Sequence, residues 1–139
     1  MADKSILDVA KAQVIAYNDK NWEAAKQALT VDVVYDEVAT QRRIKGVEEV
    51  LPAWKGWAKA FPDSRASFDK ETVSGNTVIL ELTWRGRHTG PLQMPGKEYP
   101  PTGKTIEIRA CQVVDVAGSR VQSVRQYFDM ATMLKQLGV

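Results

Sequence analysis

The sequence predicts an α+β fold, in which helices and long antiparallel strands occupy separate parts of the chain. Apolar residues recur at helical spacing in the first 61 residues, with one strand at 31–38 between them, and again after Asp129. Between these regions the chain is rich in β-branched residues that alternate with polar ones. Ser74-Gly75-Asn76 and Ala117-Gly118 are glycine turns that join long strands into hairpins. Helices segregated on a curved mixed sheet form an α+β arrangement.

Each element has a local signal. Ser5, with Asp8 three residues later, resembles a capping box for a first helix, and Asn21 can cap a short second helix. Pro52 interrupts the third helix, so we expect a kink or a restart there. No linker or repeat divides the chain, so residues 1–139 are predicted to form a single domain. The remaining predicted elements are a loop at 40–43, strands at 65–73, 77–88, 105–116 and 120–128, a long loop at 89–103, and a short C-terminal helix.

Composition excludes several classes of function. The 139 residues carry a net charge of +2 with scattered basic residues, whereas nucleic-acid binding needs a concentrated basic stripe. No apolar run reaches the ~18 residues of a membrane span and no signal peptide is visible, so a cytoplasmic protein is expected. Cys111 and His88 are the only cysteine and histidine, and their separation gives no metal-ligand spacing. Any chemistry must therefore use carboxylates, one imidazole, hydroxyls and guanidinium groups.

Asp129 has two interpretations, because it lies where the last strand meets the last helix. It is either the helix N-cap, whose carboxylate accepts backbone N–H bonds, or a proton-transfer group at the mouth of a pocket. Burial in an apolar pocket raises a carboxyl pKa, whereas capping a helix lowers it. The direction of the pKa shift therefore separates the two interpretations.

Three segments of the chain resemble a known family. Residues 84–91 (Trp-Arg-Gly-Arg-His-Thr-Gly-Pro), 100–104 (Pro-Pro-Thr-Gly-Lys) and 127–129 (Tyr-Phe-Asp) are similar to the SnoaL-like polyketide cyclases. That family is a branch of the nuclear transport factor 2-like cone folds. The resemblance extends over nearly the whole chain, with 32–36 similar to the first strand and 61–63 to the end of the long helix.

The resemblance implies a cone-shaped pocket closed by helices and a homodimer formed through the outer sheet face. In characterised relatives an aspartate at the end of the last strand is the general acid/base of an intramolecular aldol ring closure, without cofactor or metal. By position in the motif, Asp129 carries over to that role and His88 to a neighbouring pocket position. Asp36 stands where relatives often present a histidine. A second carboxylate in one pocket would raise the pKa of one of the pair.

Six further residues are candidates for contact with a hydrophobic small-molecule substrate. Trp84 shares a strand face with His88 and is either core or pocket wall. Gln112 interrupts an apolar row, so its buried amide needs a protein, water or ligand partner. Tyr127 and Arg125 share the parity of Asp129 and contact either a ligand or neighbouring acidic residues. Tyr17 and Trp54 are the last two candidates, although helix-to-sheet packing is the favoured explanation for both.

Two other classes of function remain open. An epoxide-hydrolase-like site would use two aspartates and an arginine to activate water, with Asp129, Asp36 and either Arg125 or Arg109. Arg109 has the parity opposite to Gln112, so that triad is not expected to converge. The fold also supports a non-catalytic ligand-binding or dimeric scaffold module.

Overall fold

The computed structural model describes residues 5–139, which form helices packed against a six-stranded mixed sheet. The helices are α1 (Ile6–Asn18), α2 (Trp22–Ala28), α3 (Val47–Ala60) and α4 (Met130–Leu137); the strands are β1 (Leu29–Glu37), β2 (Arg42–Lys45), β3 (Arg65–Ser74), β4 (Thr77–Arg87), β5 (Leu92–Met94), β6 (Lys97–Tyr99), β7 (Thr105–Ala117) and β8 (Arg120–Phe128). The large sheet has the order β2-β1-β8-β7-β4-β3, and β5 pairs with β6 in a separate hairpin. Strand β1 runs parallel to β8 and every other pair is antiparallel. The predicted α+β class is confirmed.

The predicted helix caps are present. Ser5 Oγ accepts the backbone N–H of Asp8 at 3.0 Å, and Asn21 Oδ1 accepts that of Ala24 at 3.0 Å. Each bond satisfies one of the N–H groups that a helix start leaves without an intrahelical partner. Gly138 ends α4 with a φ of 78°, a left-handed conformation that glycine adopts without steric cost.

Three segments differ from the prediction. Of the two alternatives predicted at Pro52, a kink or a restart, the restart is wrong, because helix α3 is continuous from Val47 to Ala60. Pro52 is exposed, so water can bond the carbonyl that the proline leaves free. The predicted loop at 40–43 contains the start of β2, which pairs with the end of β1. The long loop at 89–103 contains the β5–β6 hairpin, whose Leu92 and Met94 are buried.

A β-bulge in β8 changes which residues face the helices. Asp115 pairs with Ser123 but Val116 pairs with Val121, so Gln122 is the extra residue. Strict alternation predicts that Val121 shares a face with Tyr127. In the structure Val121 and Val124 are both fully buried and Tyr127 is exposed. The bulge therefore places Val121 on the inner face of the sheet, opposite to the face that strict alternation predicts.

The apolar interior consists of two clusters. The larger packs α1, α2 and α3 against the inner sheet face, with Val14, Leu80 and Val114 among its members. The smaller joins the end of α3, the β5–β6 hairpin, α4 and the start of β7, around Phe61 and Met133. Within the described residues, none of the helices is both long and apolar enough to cross a membrane.

Candidate functional site

A cavity of about 80 Å³ lies between the helices and the inner sheet face, where the two apolar clusters meet. Its lining consists mainly of aromatic and aliphatic side chains, with six side chains that carry a hydroxyl or amide group. The lining residues are Gln13, Val14, Tyr17, Tyr35, Trp54, Trp57, Phe61, Ser64, Trp84, Ile106, Ile108, Gln112, Gln126, Phe128 and Met133. Apolar walls with a few fixed polar groups are typical of small-molecule sites.

Edge-to-face aromatic pairs make the walls rigid. The rings of Tyr17 and Trp84 lie 5.2 Å apart at 89°, and those of Tyr35 and Trp54 lie 5.7 Å apart at 87°. Trp57 meets Phe128 in the same way, with centroids 6.0 Å apart. Such pairs contribute about 0.5–1.5 kcal/mol each beyond the burial of their area. The cavity is therefore bounded by rings that hold one another in place.

A row of three buried glutamines crosses the cavity wall. Gln13 Nε2 donates to Gln112 Oε1 at 2.8 Å, and Gln112 Nε2 donates to Gln126 Oε1 at 3.0 Å. Gln126 Nε2 then donates to the hydroxyl of Tyr35 at 2.9 Å. Helix α1 supplies the first amide and the neighbouring strands β7 and β8 supply the other two, which are Cα partners in the sheet. All three side chains are at least nine-tenths buried.

Glu37 ends this row as a fully buried carboxylate. Its Oε2 accepts from the Tyr35 hydroxyl and from Trp57 Nε1, both at 2.8 Å. Its Oε1 accepts from Thr40 and from two nitrogens of Arg42, the closer at 2.8 Å. Burial first, and then the Glu37 carboxylate, raise the pKa of Tyr35 well above its ordinary value. Tyr35 is therefore held protonated as a donor to Glu37.

A second polar contact on the wall joins α1 to the segment after α3. The hydroxyls of Tyr17 and Ser64 are 2.6 Å apart. Burial raises the pKa of Tyr17 to about 12. The polar groups on the lining are thus amides and hydroxyls, which exchange hydrogen bonds but stay in one charge state near neutral pH.

Four of the nine predicted site residues line the cavity. They are Tyr17, Trp54, Trp84 and Gln112. The partner that the buried amide of Gln112 requires is provided on both sides, by Gln13 and Gln126. The structure therefore brings these four residues to one site, as both wall and hydrogen-bonding groups.

Asp129 lies outside this lining. Its carboxylate accepts the backbone N–H of Ala131 at 3.0 Å and the hydroxyl of Thr132 at 2.7 Å, which makes it the N-cap of α4. The hydrogen bond from the Thr132 side chain is the largest influence and lowers the pKa of Asp129; desolvation opposes it, and backbone hydrogen bonds from Thr132 and Ala131 add to the lowering. Of its two interpretations, the geometry matches the helix cap, and the expectation of a pocket-facing carboxyl is not met.

His88 is fully buried, but it also lies outside the lining. Its ring stacks on Phe61 with centroids 5.1 Å apart, and Nδ1 accepts the backbone N–H of Thr102 at 3.2 Å. Because Nδ1 is an acceptor, the neutral ring carries its hydrogen on Nε2, which has no partner among residues 5–139. Burial lowers the pKa of His88, so the ring is neutral at pH 7. The imidazole ties the loop after β4 to Phe61, behind the cavity wall.

The other three predicted residues do not reach the cavity. Arg125 donates to Asp115 at 3.1 Å, and Tyr127 is 44% exposed. Asp36 is half-buried on β1, beside Arg125 in the sheet register but absent from the lining. Their positions follow from the alternation of strands, since Tyr35 and Gln126 occupy the inward-facing places next to them. The epoxide-hydrolase-like triad is therefore not assembled around the cavity.

Several site residues were not predicted, although the sequence contains a signal for most of them. Gln126 lies between Val124 and Phe128 on one strand face, the same polar interruption that identified Gln112. Gln13 lies one residue before Val14 on the buried side of α1. Glu37 shares the parity of Tyr35 on a strand with an apolar inner face. No sequence pattern indicates that Ser64, which follows the predicted end of α3, meets Tyr17.

The described residues contain no group of three or more His, Cys, Asp or Glu side chains placed to hold a metal ion.

Comparison with known proteins identifies relatives by family and by fold. The family model described as SnoaL-like polyketide cyclase matches residues 7–137. No curated protein matches the sequence. Among solved structures, IdmH from Streptomyces antibioticus is 24% identical, covers 98% of this chain and 100% of its own, and has a TM-score of 0.82.

Two further structures share the fold at lower identity. TsrD from Streptomyces laurentii is 19% identical, with coverage of 99% and 98% and a TM-score of 0.81. A protein of ketosteroid isomerase-like fold from Catenulispora acidiphila, solved in complex with trimethylamine, is 16% identical, with coverage of 95% and 93% and a TM-score of 0.77. At these identities the likeness establishes the fold, and the predicted cone fold is confirmed.

Proposed function

Because the chain belongs to the SnoaL-like polyketide cyclase family, we propose that it binds a largely apolar, ring-containing small molecule in the cavity between α1, α3 and the sheet. The observation that supports this proposal is a wall of interlocked aromatic rings crossed by a buried row of amides. Rigid rings provide flat apolar contact, and the fixed polar groups orient a ligand.

A non-covalent binding role fits the chemistry of the lining. The hydroxyl and amide groups hold or orient a polar atom, whereas general acid/base catalysis works best with a pKa near the working pH. The pKa of Tyr17 at about 12 and the raised pKa of Tyr35 are far from neutrality. We therefore place binding before turnover as the function that this cavity supports.

The tryptophan indoles provide a direct test of binding. Trp54, Trp57 and Trp84 line the cavity, whereas Trp22 does not. We would titrate ¹⁵N-labelled protein with bicyclic and tricyclic compounds and follow the indole N–H resonances, assigned with single Trp→Phe variants. Saturable shifts of the three cavity indoles, with Trp22 little changed, are expected. Equal, non-saturating shifts of all four, or no shifts, would contradict the proposal.

Ring closure by general acid/base catalysis is a second candidate, favoured by one observation. Asp129 follows Phe128 and precedes Met133, and both of these residues line the cavity. The exposed carboxylate of Asp129, which its lowered pKa keeps ionised, would act as the base and take a proton from a carbon next to a ketone. The resulting enolate carbon would bond to a second carbonyl carbon, whose oxygen takes up the proton.

Enolisation of a simple ketone tests the second candidate separately. The hydrogens next to the carbonyl of 1-indanone exchange with D₂O only through the enol or enolate. Faster exchange with the protein, lost in Asp129→Asn, would support catalysis, because asparagine is also a good N-cap and preserves α4. If 1-indanone exchanges no faster with the protein than in buffer alone, although it binds, the catalytic candidate is refuted and the binding function is retained. Dimerisation through the outer sheet face stays a prediction, to be checked by light scattering.

A further inference from the structure

We infer that Gln112 and Gln126 form a paired amide donor that selects ligands with a carbonyl oxygen over apolar ligands of the same shape. This inference rests on the proposed binding function, since both side chains line the proposed pocket. It depends on which end of each glutamine amide donates and which accepts. At both ends of the row this is determined by a neighbour that can only donate or only accept.

Trp84 determines the orientation of Gln126. An indole N–H can only donate, so the atom of Gln126 that lies 3.1 Å from Trp84 Nε1 must be the amide oxygen. The nitrogen of Gln126 therefore faces Tyr35, whose hydroxyl accepts from it and donates to Glu37. An ionised carboxylate only accepts, so the Glu37 end requires the same direction.

Ala10 determines the opposite end. Its backbone carbonyl can only accept, so the Gln13 atom at 3.1 Å must be the amide nitrogen. The same nitrogen donates to Gln112, which places the oxygen of Gln112 toward Gln13 and its nitrogen toward Gln126. The orientations required at the two ends therefore agree, because the nitrogen of Gln112 faces the oxygen of Gln126.

Two amide N–H groups of the row have no hydrogen-bond acceptor in the part of the chain that the structure describes. Each amide nitrogen has two hydrogens. Both hydrogens of Gln13 are used, on Ala10 and Gln112. Gln112 and Gln126 each use one, on Gln126 and Tyr35, and so each keeps one N–H without a partner among residues 5–139. The oxygen of Gln126 already accepts twice, from Gln112 and Trp84.

These two spare donors belong to neighbouring side chains, because Gln112 and Gln126 are cross-strand partners on β7 and β8 and both line the cavity. A carbonyl oxygen has two lone pairs and can accept from both. A hydrocarbon in the same place desolvates both N–H groups and returns no hydrogen bond. The cavity is therefore complementary to a ring with a carbonyl directed at the sheet, and Trp84 acts as a positioning residue for that specificity.

The first experiment uses the unmodified protein with two ligands of one shape, 1-indanone and indane. Each new N–H···O bond corresponds to about a 2- to 12-fold gain in affinity, so we expect 1-indanone to bind at least ~5-fold more tightly. The infrared carbonyl stretch of bound 1-indanone should move to lower wavenumber, as it does for a carbonyl that accepts hydrogen bonds. The cavity indole resonances report binding of either compound.

Variants then assign the effect to the pair. Gln112→Leu and Gln126→Leu should each lower the ratio of 1-indanone affinity to indane affinity by about 2- to 12-fold or more, because 1-indanone loses a hydrogen bond and indane no longer desolvates that N–H group. A partial reversal of the infrared shift should accompany this loss. Gln122→Leu is the matched control, because Gln122 is exposed on the same strand. Trp84→Phe should reduce the preference for 1-indanone over indane without abolishing indane binding.

The outcomes separate the inference from the function on which it rests. Equal affinities for the two ligands, with saturable shifts of the cavity indoles, would overturn the paired donor and retain the binding function. Failure of both ligands to shift those indoles would overturn both. If the leucine variants do not fold, the affinity ratio and the infrared shift of the unmodified protein decide the question.

Discussion

Replacing the buried Glu37 carboxylate should have a large effect on stability, although Glu37 does not line the cavity. Its two oxygens accept from four side chains, and three of these lie on other elements or turns than β1: Thr40, Arg42 and Trp57. Glu37→Gln preserves the volume of the side chain but replaces one acceptor oxygen with a donor nitrogen. Whichever oxygen is replaced, at least two donors then face a donor.

The magnitude depends on which side the new nitrogen takes. Toward Tyr35 and Trp57 it leaves two neutral donors unsatisfied, at about 1–3 kcal/mol each. Toward Arg42 the loss is partly recovered, because that side chain is 27% exposed and can turn to water. We therefore expect the free energy of unfolding to fall by about 2–4 kcal/mol, a large share of the roughly 5–15 kcal/mol of a typical domain.

Urea unfolding followed by far-UV circular dichroism measures this loss. Glu107→Gln is the matched control, because it removes the same charge from a pair with Arg85 in which both side chains are more than half exposed. Exposed pairs contribute about 0–1 kcal/mol, so the control should lie close to the wild type. If the free energies of unfolding of the two variants agree within about 1 kcal/mol, the reasoning about buried acceptors is wrong.

Three other predictions concern the loop after β4 and the start of α4. A Cβ at Gly90 would lie 2.0 Å from the backbone oxygen of Lys59, so Gly90→Ala should cost about 1–3 kcal/mol in urea unfolding. Gly56→Ala, with open space around it in α3, should instead stabilise by about 0.5–1 kcal/mol; if Gly90→Ala proved the more stable variant, the close approach of Gly90 to Lys59 would be refuted. The pKa of His88 is lowered in the folded state, so the unfolded chain binds more protons below about pH 6.5. The free energy of unfolding should therefore decrease as pH falls from 6.5 toward the folded pKa, and His88→Asn should flatten this part of the profile; an equal slope in the variant would refute the assignment. The lowered pKa of Asp129 has the usual carboxylate sign: its contribution to stability is present above the ordinary aspartate pKa of 3.8 and is lost as pH falls through the lower pKa of the folded state. Asp129→Asn should retain helix α4 by circular dichroism and lose that acid dependence, whereas a loss of α4 at neutral pH would show that the charge itself is required.

The amide row shows that a sequence pattern can predict a buried polar residue without predicting its hydrogen-bond partner. A polar residue in an apolar strand face indicates a buried group that needs a partner, and this signal correctly identified Gln112. The same signal is present at Gln126, but the sequence does not indicate which residue is the hydrogen-bond partner of either glutamine. Gln13 is 99 residues away from Gln112 along the chain, and only the packing of α1 on β7 brings the two amides to 2.8 Å.

Strand β8 shows why only part of the candidate site could be predicted from the sequence. Alternation correctly separates Gln126 and Phe128 from Arg125 and Tyr127, yet it does not tell which set faces the helices. The family resemblance favoured the side that includes Tyr127 and Asp129. In the structure the side that includes Gln126 faces the helices instead, because the inward face of β8 has to match Val114 and Gln112 on β7 in the sheet register.

The chain by itself determined the order of its helices and long strands, the caps at Ser5 and Asn21, the hairpin turns of the long strands and the α+β class. These features depend on contacts within a few residues or on the period of apolar side chains. Tertiary structure alone decided the pairing of β1 with β8, the burial of Glu37 and the direction of the glutamine row. Each of these depends on which donor meets which acceptor across distant segments, and the geometry of that meeting exists only in the folded chain.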